Sequence, residues 1–60
     1  MDENQLAIIL MEYDFRSGKL NSMDMSDNDV FKSYRKEAEK MMREGKREWS
    51  ENLLSFIERW

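Results

Sequence analysis

The sequence contains no cysteine, no histidine and no proline, and its only glycines are Gly18 and Gly45. Without cysteine there is no disulfide to staple a small core, and without histidine or thiolate the usual structural zinc ligands are missing. Missing proline removes the strongest helix breaker, so the glycines are the only strong punctuation. Isolated glycines make neither a phosphate loop nor a dinucleotide fingerprint. The longest uninterrupted apolar run, Leu6 to Met11, is far too short to span a bilayer. The opening MDENQ is acidic, the reverse of a signal peptide's basic start. These features set the expectation of a cytoplasmic protein with no membrane partner and no cofactor.

What remains is a 60-residue chain in which 38% of residues are charged, with a net charge of −3. One domain, residues 1–60, is the most this length supports, and a lone core of that size is marginal. With disulfides and metals set aside, pairing of subunits is the remaining source of burial. Charge is unevenly spread: residues 1–31 carry seven acids against two bases, a net of −5, and residues 32–60 carry eight bases against six acids, a net of +2. An acidic first half beside a basic second half suits an antiparallel hairpin, within one chain or between two.

Helix formers dominate, and no useful stretch alternates with period two, so the chain reads as all-α. A first helix is expected from about Asp2 to Ser17, with Gly18 as a left-handed terminator and Arg16 favourably placed in the last turn. The following KLNSMDM is a connector. A second helix should begin at Asp27, with Ser26 as its N-cap, Asp29 at the third position and Met25 and Val30 as a hydrophobic staple. Beyond it, Phe31, Tyr34, Ala38, Met42, Gly45, Trp49, Leu53, Phe56 and Trp60 stay on one slowly drifting face. That spacing favours one long helix over about 27–60, with Gly45 as the point where it can bend or break. The alternative ends the helix at Gly45 and starts a third near Lys46, giving a monomeric three-helix bundle.

The first helix is apolar on two sides. Leu6, Ile9, Leu10 and Tyr13 share one arc, and Ala7, Ile8, Met11 and Phe15 share another. Two apolar stripes call for neighbours on both. A hairpin covers one stripe. If the second helix is continuous, the other stripe and the aromatic C-terminal end require a second copy, giving a homodimer close to a four-helix bundle. Ile8, Met11, Phe15, Trp49, Leu53, Phe56 and Trp60 are therefore the candidate interface, for self-association or for a larger protein target.

Chemistry is sparse. Asp, Glu, Lys, Ser and Tyr are the only groups able to serve as acid, base or nucleophile, and a helical hairpin offers them little concavity, so no enzyme is expected. The acidic run Asp24 to Asp29 fails as a calcium loop, which would need Gly where Asp29 stands and Glu where Arg35 stands. One charged feature is more suggestive. Lys32, Lys36, Lys40, Arg43 and Arg47 recur at helical spacing on the side away from the apolar face, a ridge able to meet phosphates. Acids four residues from these bases, and an isoelectric point near 4.9, weigh against it. The functional expectation is a small regulatory binding protein, an inhibitor or adaptor, with a nucleic-acid-contacting helical dimer as the alternative.

Overall fold

Three helices and a single 3-10 turn account for the fold in the computed structural model, which describes residues 2–23 and 28–60. They are α1 (Glu3–Arg16), α2 (Asn28–Glu44), the 3-10 turn Lys46–Glu48 and α3 (Glu51–Arg59), and no strand occurs among the described residues. Met25, Ser26 and Asp27, to which the sequence assigns the staple, cap and start of the second helix, lie outside the described residues.

Both ends of α1 follow local chemistry. The Asp2 carboxylate caps the start by accepting the Gln5 amide at 2.8 Å. At the far end Gly18 takes φ +83, a conformation that costs glycine nothing. The Gly18 amide then donates to the Phe15 carbonyl at 3.2 Å and the Lys19 amide to the Asp14 carbonyl at 2.8 Å. This pair of bonds is a Schellman motif, which satisfies carbonyls the helix end would otherwise leave bare.

Of the forms expected for the second half of the chain, the one broken at Gly45 is what forms. A helix over 27–60 would be about 51 Å long, whereas the longest dimension of the molecule is 30 Å. At Gly45 the backbone turns to φ 89, ψ 161, a region essentially reserved for glycine. The Gly45 amide still bonds to the Met41 carbonyl at 3.0 Å, so the residue closes α2 before leaving it. A 3-10 turn follows, Trp49 runs extended, and the Ser50 hydroxyl accepts the Leu53 amide at 3.2 Å to start α3. Trp49 and Leu54 take the two positions of a hydrophobic staple across that cap.

Burial explains why the break wins. Turning back places Trp49 and Leu53 in a core with Leu6, Ala7, Leu10 and Ala38, flanked by Tyr13, Phe31, Tyr34, Met41, Leu54 and Ile57. Each Leu-sized side chain removed from water contributes about 1.5–3 kcal/mol. Each helical hydrogen bond given up at the break is worth only about 1 kcal/mol net, and the turn bonds and the Ser50 cap replace several of them.

The two-sided character of α1 finds its neighbours within one chain. Leu6, Ala7, Ile9, Leu10 and Met11 are all buried, drawing on both apolar arcs, and both α2 and α3 contact α1. Ile8 is half-buried and Phe15 exposed.

Trp49 also closes a polar account. Its indole N–H donates to the Met41 carbonyl at 2.9 Å, the same oxygen that receives the Gly45 amide. The side chain therefore seals the C-terminus of α2 while filling the core. Trp49→Phe, which keeps most of the ring and removes the donor, should cost about 1–2 kcal/mol. Trp49→Ala should cost about 3–5 kcal/mol, enough to unfold so small a domain at room temperature. Urea unfolding followed by circular dichroism measures both. Wild-type stability in the phenylalanine variant would show that the indole bond contributes nothing.

Candidate interaction surface

The last turns of α1 and α3 lie side by side and are joined through aromatic and charged side chains. Tyr13 meets Phe56 edge to face, with ring centroids 5.5 Å apart and planes at 78°. The Arg16 guanidinium sits 5.7 Å above the Phe56 ring centre and also bonds to Glu12 at 2.9 Å. The other Glu12 oxygen accepts the indole N–H of Trp60. Glu12 thus ties the end of α3 to the middle of α1. Its carboxyl is held below the ordinary carboxylate range, first by the Trp60 donor and then by Arg16, against an opposing effect of desolvation.

Between these helices lies an open groove of about 580 Å³. Phe56 and Trp60 give it apolar wall, Arg16 and Arg59 give it charge, and Asn52 and Ser55 offer hydrogen-bonding groups. Cation, amide, hydroxyl and aromatic face within one cleft make a surface able to hold a peptide segment. Phe15 and Trp60 are among the large apolar side chains left most exposed, at 43% and 50%, and Met42 is a third.

The seven interface candidates therefore divide. Met11, Trp49 and Leu53 are buried in the fold of the single chain, the last two in its core. Ile8 and Phe56 are half-buried, and Phe15 and Trp60 are exposed. The structure brings Phe56 and Trp60 together at the groove. Tyr13, Glu12, Arg16, Asn52, Ser55 and Arg59 join them there, none of them a site candidate from sequence. Glu12 and Arg16 stand four residues apart, the spacing of a helical ion pair; the rest depends on how α3 folds back.

All five ridge cations are exposed. Lys32, Lys36, Lys40 and Arg43 stand on the helix, and Arg47 lies past the break in the 3-10 turn. Lys40 is 3.9 Å from Glu44, and Glu39 turns to Arg35, also at 3.9 Å, rather than to Arg43. Pairs this long and exposed are worth little.

A buried-side contact completes the electrostatics. The Tyr34 hydroxyl donates to the Asp14 carboxylate at 2.7 Å, fastening α2 to the end of α1. Desolvation, then the hydrogen bond and the charge of Asp14, push the Tyr34 phenol up to about 12. Among the described residues no side-chain polar atom is buried without a partner, and no acidic group of three or more could hold a metal ion. No helix among them is long and apolar enough to cross a membrane.

No family model, no curated protein and no solved structure matches the chain.

The Tyr34 contact sets an alkaline limit. Above pH of about 10 an unfolded tyrosine has lost its proton while the folded one keeps it. The folded state then binds the extra proton, so the stability this contact confers is complete below about pH 10 and is lost as pH rises through about 12. Melting temperatures followed across that window should fall for the wild type more steeply than for Tyr34→Phe. Parallel curves would show that the phenol is not held neutral by the fold.

Proposed function

We propose that the protein is a non-enzymatic regulatory module, an inhibitor or adaptor that binds a larger protein and also pairs with a second copy of itself. The observation that carries this reading is the groove between α1 and α3, flanked by the exposed Trp60. Its mixture of aromatic wall, two arginines and short polar side chains resembles the composition of protein-binding surfaces, which are rich in Trp, Phe and Arg and sparing of Lys. The lack of histidine and cysteine supports binding over catalysis, since the remaining groups need strong pKa shifts to act near neutral pH. Phe15 and Ile8, two turns apart on the outward side of α1, offer the apolar area for self-association.

Phe15→Asp tests that contact. The side chain is already substantially solvated, so the variant should stay folded, losing about 1 kcal/mol or less. Its dimer dissociation constant should rise at least about tenfold, corresponding to about 1.4 kcal/mol. Sedimentation equilibrium over a concentration series measures this. A wild-type chain that stays at 7.3 kDa at high micromolar concentration removes the pairing.

A second reading rests on the exposed ridge of Lys32, Lys36, Lys40, Arg43 and Arg47, whose cations have few and weak carboxylate partners. Such a ridge would contact nucleic-acid phosphates through charge alone. Titration with generic RNA and DNA should then show affinity falling linearly with the logarithm of salt concentration. No binding at low salt eliminates it.

A further inference from the structure

The apolar face of the second half of the chain does not stop where the helix does. Tyr34, Ala38, Met41, Gly45, Trp49, Leu53, Phe56 and Trp60 remain within one face if the helical period is carried straight through residues 45–50. The interruption contains no proline and hangs on one glycine in a conformation other residues avoid. The same segment thus satisfies two backbones: the observed turn and an uninterrupted helix.

We infer that the chain forms a domain-swapped homodimer, in which residues 45–50 straighten, α2 and α3 become one helix, and each α3 docks on the α1 of the other copy. This rests on the pairing proposed above: the exchange of α3 supplies most of the buried area and the Phe15 and Ile8 side of α1 adds a further contact between the copies. The occupant is determined by the contacts on the page. What α3 needs is the Leu6, Leu10 and Tyr13 side of an α1, with Glu12 for the Trp60 indole, and a second copy presents the same side chains in the same arrangement. Exchange of identical elements creates few new contacts and so needs no specially evolved surface, and short hinges that prefer to straighten promote it.

The opposing terms are also identifiable. In a straight helix residues 41 and 49 stand about 12 Å apart along the axis, so the Trp49 bond to the Met41 carbonyl must break. Arg43 with Arg47, and Glu44 with Glu48, would become like-charge neighbours four residues apart. Both effects favour the closed monomer when the protein is dilute, and concentration favours the exchange.

Two substitutions at the hinge push in opposite directions. In Gly45→Ala the added methyl meets no atom within 4 Å, so only the backbone is affected. Alanine disfavours the turn at φ 89 and favours the straight helix, and both effects count once per chain. The dimer dissociation constant should therefore fall by at least about a hundredfold. Lys46→Pro does the reverse. Position 46 opens the 3-10 turn after an extended ψ of 161, which accommodates proline, whereas inside a continuous helix proline would remove a bond and clash with the preceding turn.

Sedimentation equilibrium and circular dichroism on full-length wild type, Gly45→Ala and Lys46→Pro decide the matter. Expected is a wild-type monomer–dimer equilibrium, a dimeric Gly45→Ala with higher helix content, and a monomeric Lys46→Pro that melts at or above the wild-type monomer. If Lys46→Pro dimerises as tightly as wild type, the copies pair surface to surface; the exchange is then wrong while the pairing stands. If wild type and Gly45→Ala are both monomeric at high micromolar concentration, both ideas fail.

Discussion

One side chain decides the shape of this molecule. Trp49 buries its rings among Leu6, Leu10, Ala38 and Leu53 while its N–H seals the Met41 carbonyl at the end of α2. Either act alone leaves a cost, since a buried indole without an acceptor loses a hydrogen bond and an uncapped helix end leaves carbonyls bare. Done together, they make the turn after Gly45 more favourable than helical continuity. Everything downstream follows: the Ser50 cap, the return of α3 across α1, and the groove that lies between them.

Such economy matters in a chain of 60 residues with no cysteine and no histidine. Its long-range polar contacts sit where they also position helices. Asp14 shows this best. Its carbonyl receives the Lys19 and Leu20 amides while its carboxylate receives the Tyr34 hydroxyl. One residue therefore ends a helix, starts a connector and holds the next helix.

Local chemistry was readable in the sequence where it is decided by neighbours in the chain. The first helix over about Asp2 to Ser17, Gly18 as its left-handed terminator and the double-sided character of α1 all emerge from residue type and spacing alone. The break at Gly45 was legible only as one of two options, because the apolar period runs through it and both backbones satisfy the pattern. What separates them is the burial of Trp49 and Leu53 against α1, a contact across some forty residues that periodicity cannot see. The same blindness affected the site. Trp49 and Leu53 look like surface aromatics and aliphatics on a straight helix but turn inward on a folded one. Glu12 and Arg16 look like a thin polar strip but become the floor of a groove once α3 arrives. Phe15 and Trp60 are exposed in either arrangement, although the Trp60 indole reaches Glu12.

The placement of the two indoles has a practical consequence. Trp49 is shielded at the hinge, and Trp60 stands in solvent at the mouth of the groove. The turn after Gly45 and the groove thus each hold a single tryptophan, in distinct polarity. With one ring replaced by phenylalanine, emission from the other would follow the proposed straightening or a bound partner separately, with no dye attached.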